Sequence, residues 1–138
     1  MLEKAERLAQ EIRQELINLL RSRQAARTSG RADYQHMLRT RLQNAVSTSK
    51  NELKKVISFY QRRLRQQGTR QQGTNAPAEA VAELLRQSVP RGGEAWKALS
   101  RTITVQRLTE LREEFGDTGA VFVLAWAARL LPAGDEEG

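Results

Sequence analysis

Residues Tyr34–Arg65 read YQHMLRTRLQNAVSTSKNELKKVISFYQRRLR, and their spacing decides the fold. Apolar residues recur at Tyr34, Leu38, Leu42, Ala45, Val46, Leu53, Val56, Ile57, Tyr60 and Leu64. Steps of three and four put these side chains on one face of an α-helix, over an arc of about 140°. Most of the remaining circumference is cationic: Arg39, Arg41, Lys50, Lys54, Lys55, Arg62 and Arg65, opposed by Glu52. Arg63 projects into the apolar arc and has to snorkel. Ser47-Thr48-Ser49 offers a break, since Ser49 with Glu52 matches the capping-box pattern. The apolar phase nevertheless runs on through positions 42, 45, 49, 53, 56 and 60. One continuous helix is therefore expected, of about 32 residues and about 48 Å.

Outward from this stretch, a first helix is expected from about Leu2 to about Ala26. Leu2, Ala5, Leu8, Ala9, Ile12, Leu16, Leu19 and Leu20 share one of its faces. Glu3 and Glu6 at its start and Arg21, Arg23 and Arg27 at its end complement the helix dipole. Thr28-Ser29-Gly30 ends it, Asp33 can cap the second helix, and the short turn pairs the two as a helical hairpin. The tandem pentapeptides Arg65-Gln66-Gln67-Gly68-Thr69 and Arg70-Gln71-Gln72-Gly73-Thr74 hold no apolar anchor. Such a segment cannot offset the entropy of ordering and reads as a loop.

Short helices follow. Asn75-Ala76-Pro77 opens the third, with Val81, Leu84 and Leu85 inward and Val89-Pro90-Arg91-Gly92-Gly93 at its end. The fourth, from about Glu94 to about Thr102, carries Trp96, Leu99 and Ile103. Thr104 caps a fifth, striped by Val105, Leu108, Leu111 and Phe115 and stopped at Gly116. Asp117 and Thr118 cap the last, Ala120–Leu131, which is apolar almost all round and reads as a buried central helix. The fold class is all-α: a long N-terminal helical hairpin plus a C-terminal cluster of short helices. It forms one domain, with the basic hairpin over 1–67, a loop over 68–76, the C-terminal helical part over 77–132 and an acidic tail over 133–138.

Composition narrows the function. The chain of 138 residues has no cysteine, which removes disulfide scaffolds, zinc–cysteine sites and thiol nucleophiles. Met1–Arg7 is charged and lacks the apolar core of a signal peptide. No run approaches the roughly 20 apolar residues that cross a bilayer, so a cytoplasmic protein without membrane contact is expected. The net charge of +7 is unevenly placed. Residues 1–75 hold 16 Lys/Arg and 6 Asp/Glu, whereas residues 76–138 hold 7 and 10. Clustered cations of this kind attract polyanions. The competing readings are a solvated surface, an acidic protein partner and, less well matched, an anionic membrane.

Catalytic chemistry finds little support. The single histidine, His36, falls on the polar face without a second group to orient it, as a general base or metal ligand requires. No G-x-x-x-x-G-K-[ST] occurs. Glu113, Glu114 and Asp117 gather near a helix end but read as a solvated acidic turn. The expectation is a protein that is not an enzyme and needs no metal or cofactor. A helix-turn-helix drawn at Leu108–Leu131 offers base edges only apolar side chains, and fails. A second, at Val81–Thr102 with Lys97, Ser100 and Arg101 as readers, has a connection looser than the usual turn. Phe59, near Lys55 and Arg62, either stacks on a base or packs on a neighbouring helix or subunit.

A small, cysteine-free, all-helical chain with a basic helical face and a late Trp-bearing apolar helix, Gly119–Leu131, resembles the small helical subunits of CRISPR effector complexes. The resemblance is one of overall character, and no motif carries individual residues across. It implies copies stacked in a ribonucleoprotein and contacting nucleic acid through Lys/Arg. The residues themselves point to backbone contacts without sequence preference, to RNA or single-stranded DNA, by Arg39, Arg41, Lys50, Lys54, Lys55, Arg62, Arg65 and Arg70. A larger protein or ribonucleoprotein complex, or further copies of the chain, are the protein partners. The alternatives are an adaptor that docks its hairpin on a protein, and a helix-turn-helix-like DNA-binding protein.

Overall fold

The computed structural model describes residues 1–25, 31–67 and 76–131. These form five helices: α1 (Leu2–Ala25), α2 (Arg31–Gln67), α3 (Ala76–Gly92), α4 (Glu94–Thr102) and α5 (Val105–Leu130). No strand occurs among the described residues. The all-α hairpin-plus-cluster architecture read from the sequence is the one found. The expected turn at Thr28-Ser29-Gly30, the pentapeptide loop from Gly68 to Thr74 and the acidic tail lie outside the described residues, as do the side chains of Asp33 and His36.

α2 is the axis of the bundle, packing against all four other helices. At 37 residues it is about 55 Å long. It begins at Arg31, so Asp33 lies inside its first turn rather than at its cap. It passes Ser47-Thr48-Ser49 without a break. The continuity follows from burial: Val46, Ser49, Leu53, Val56 and Tyr60 are each at most 1% exposed, in one inward file that a break would split. Each buried leucine or valine contributes roughly 1.5–3 kcal/mol, which outweighs the few tenths lost to Ser and Thr in a helix.

α1 lays Ala5, Leu8, Ile12 and Leu16 against this file. Leu2, expected on the same face, is 51% exposed, because α1 overhangs the core by its first turn. α1 also packs on α4 and α5, and three cross-helix ion pairs fix it there. Glu11 meets Arg107 at 2.6 Å, Glu15 meets Arg101 at 3.2 Å and Lys4 meets Glu114 at 3.9 Å. α3 runs to Gly92, within the Val89–Gly93 segment expected to end it, and keeps Pro90 inside the helix. Gly93 joins it directly to α4.

α5 bends at Gly116, whose φ of 80° and ψ of 178° lie in a region that only glycine occupies without strain. The stop expected at Gly116 is thus a kink between two helical segments. Thr104 caps the first segment as expected, its side chain accepting from the Arg107 amide. The second segment is not buried all round. Ala120, Val123, Leu124, Ala127 and Ala128 enter the core, but Phe122 and Leu130 are each 37% exposed. The bundle covers only one side of this segment, so its apolar outer face is left open.

Candidate nucleic-acid interface

The inward file of α2 fixes where its polar residues point. At about 100° per residue, the direction opposite the mean of Val46, Ser49, Leu53, Val56 and Tyr60 defines an outer crest. Arg62 lies within about 25° of that crest, and Arg65, Lys54 and Lys55 within about 60°. Arg41, Lys50 and Arg39 stand at about 85–115°, on the shoulders of the helix. Arg39, Lys54, Lys55, Arg62 and Arg65 are exposed, while Arg41 and Lys50 are half-buried. Arg70 lies outside the described residues.

These cations form two files rather than one stripe. Arg39, Lys50, Lys54 and Arg65 follow one side of the crest, and Arg41, Lys55 and Arg62 the other. Between them, from Thr40 to Ser58, runs a line of exposed, uncharged side chains, Thr40, Asn44, Ser47, Asn51 and Ser58, which Arg62 ends in the same phase. The cations expected from the sequence fill most of the polar arc, and this line is not among the residues named with them. Its signal was present in the steps 40, 44, 47, 51 and 58, which hold one phase of the helix.

Carboxylates do not neutralise this face. Lys55 pairs with Glu52 at 3.5 Å, through an exposed ammonium that leaves the pair solvent-screened. Among the described residues, Arg39, Arg41, Lys50, Lys54, Arg62 and Arg65 take part in no ion pair. Elsewhere Lys4, Arg86, Arg101, Arg107 and Arg112 each have a carboxylate partner, and Lys4, Arg101 and Arg107 use theirs to bridge helices. Arg63 is exposed and lies over the Phe59 ring at 5.2 Å, a cation–π contact. Phe59 is half-buried and packs against the core. Of its two expected roles, the packing one is realised within the bundle.

The other candidate sites are arranged differently. Arg101, a reader in the helix-turn-helix placement, is bound to Glu15 of α1, and the Ser100 hydroxyl donates to the Lys97 carbonyl. A single residue, Gly93, separates the two helices of that placement. Near the α5 kink, Thr109, Arg112, Phe115, Asp117 and Thr118 help line an open hollow of ≈ 500 Å³. Asp117 is hydrogen-bonded to Arg112 and Glu114 is paired with Lys4, so two of the three acidic residues at this end have cation partners, while Glu113 is exposed. No group of three or more metal-ligating side chains forms among the described residues. Tyr60 lies behind this hollow; burial pushes its phenol up, Arg112 partly offsets that and Asp117 adds to it.

Fold and charge together define an all-helical bundle whose axial helix presents unpaired cations to solvent. Comparison with known protein families, with curated proteins and with solved structures found no match for the chain. No helix among the described residues is long and apolar enough to cross a membrane.

Proposed function

We propose that this protein is a non-catalytic helical subunit that binds the nucleic-acid backbone through the outer half of α2, within a larger ribonucleoprotein assembly. The observation that carries the reading is the concentration of cations on one helix: between Arg39 and Arg65, α2 holds eight Lys/Arg against one carboxylate, Glu52, which pairs with Lys55. Phosphate contacts require only point charges within reach, and α2 supplies them over the about 39 Å between Arg39 and Arg65. Arg41 and Lys50 are half-buried, and long cationic side chains can rest their stems on a helix while the charged heads stay in water.

The outer face of α5 favours the assembly part of the reading. The Phe122 and Trp126 rings meet there at a tilt of 55° with centroids 5.8 Å apart, and Arg129 lies 4.7 Å over the Trp126 ring. Exposed apolar clusters of this kind mark protein contacts. The same feature favours the second reading, an adaptor held by protein alone. A CRISPR effector is the host assembly that the overall resemblance points to, and co-purification with identification of the bound protein and nucleic acid tests it.

Salt-dependent gel shifts separate the two readings. With about five phosphates neutralised, log K falls against log salt with a slope near −3.5 for a single strand. Replacing Lys50, Lys54 and Lys55 by Glu abolishes the shift and leaves helicity by circular dichroism unchanged. An adaptor gives no salt-dependent shift with either the parent or the variant.

A further inference from the structure

The two cation files and the uncharged line between them say which form of nucleic acid α2 fits. Resting on the reading above, we propose that the outer crest of α2 enters the major groove of B-form duplex DNA, with the flanking cations on the two phosphate backbones. A single strand offers one file of phosphates and calls for one file of cations, with stacking platforms for its bases. α2 has cations on both sides of its crest, and Phe59, its exposed-face aromatic, is packed into the bundle and covered by Arg63.

The dimensions agree. An α-helix with its side chains is about 10–12 Å across and the major groove is about 12 Å wide. From Asn44 to Ser58 the crest runs about 21 Å, about six base-pair steps of 3.4 Å. From Thr40 to Ser58 the five crest side chains are exposed, short and free of charge, so over this stretch they neither repel base edges nor hold the helix away from them; Arg62 follows at the end of the crest. Asn44 and Asn51 have the amide that pairs with the adenine edge, and Thr40, Ser47 and Ser58 have hydroxyls that donate or accept. Lys50, Lys54 and Arg65 reach one strand; Arg41, Lys55 and Arg62 reach the other. A-form RNA has a major groove too deep and narrow for this fit. A protein-docking crest would carry apolar anchors here, and this one carries none.

Fluorescence anisotropy with the full chain tests the proposal, using a mixed-sequence DNA duplex of about two turns, each of its strands alone and the matching RNA duplex. The DNA duplex is expected to bind at least about tenfold more tightly than the other three, which is about 1.4 kcal/mol. A duplex whose cytosines carry glucosylated hydroxymethyl groups, which fill the major groove, is expected to lose that advantage. Two double variants, K50Q/K54Q and R41Q/K55Q, each remove two charges from one flank, at exposed or half-buried positions. Each is expected to flatten the log–log salt slope by about 2, since each phosphate contact contributes about 0.9. Equal affinity for single strands, indifference to the glucosyl groups, or a slope that responds to one flank only overturns the groove proposal and leaves backbone binding standing. Absence of binding to every nucleic acid overturns both.

Discussion

Ser49 sits on the inner face of α2 at 0% exposure, and its hydroxyl has no hydrogen-bond partner. A buried, unsatisfied hydroxyl costs about 1–3 kcal/mol, whereas the methyl of alanine suits the same space and is a better helix former. Ser49→Ala is therefore expected to stabilise the protein by about 1 kcal/mol, read as a higher urea midpoint at unchanged m-value. Tyr60 makes a different demand. Its folded-state pKa is raised above the ordinary value of 10.0, chiefly by burial. The unfolded chain gives up this proton first, so the protonated phenol's contribution is complete below pH 10 and is lost as pH rises through the folded value. Tyr60 is expected to titrate late when phenolate absorbance is followed against pH, and Tyr60→Phe to lessen the alkaline loss of stability.

At the scale of the element, α5 shows how a bend is enforced. Gly116 takes a backbone conformation closed to other residues, at a strain of about 1–3 kcal/mol for any side chain. Three residues on, a Cβ at Gly119 would stand 2.3 Å from the Phe115 Cβ, an atom too close to its backbone to move aside cheaply. Gly116→Ala and Gly119→Ala are each expected to lower stability by about 1–3 kcal/mol in urea unfolding, despite alanine's higher helix propensity. Gly116 was legible in the sequence because it separates the stripe ending at Phe115 from the apolar run beginning at Ala120. Gly119 was not legible, since its role comes from a close approach created by the kink. The continuity of α2 could be read because Ser49 kept the phase of Leu53, Val56 and Tyr60. The exposure of Phe122 and Leu130 could not be read: an all-round apolar helix gives no sign of which side its neighbours leave uncovered. Likewise, the α2 sequence shows how many cations it has, but it does not show that acids on α1 and α5 are engaged with α4, α5 and α1 rather than with α2.

Over the whole molecule, charge is divided by use. Glu11, Glu15 and Glu114 join α1 to α4 and α5, and the cations of α2 between Arg39 and Arg65 are opposed by Glu52 alone on their own helix. Unpaired like charges repel along the helix and draw in counterions, so this surface works against stability at low salt. Replacing Lys50 and Lys54 by Gln is expected to leave the thermal midpoint equal or higher at low ionic strength while weakening polynucleotide binding, a separation of stability from function. The most direct test of the central claim is amide NMR titration of the protein with a short oligonucleotide. Shifts concentrated at the outward positions of α2 between Arg39 and Arg65, and reversed by added salt, are the predicted result. Shifts confined to α3–α5, or no shifts at any salt concentration, would contradict it.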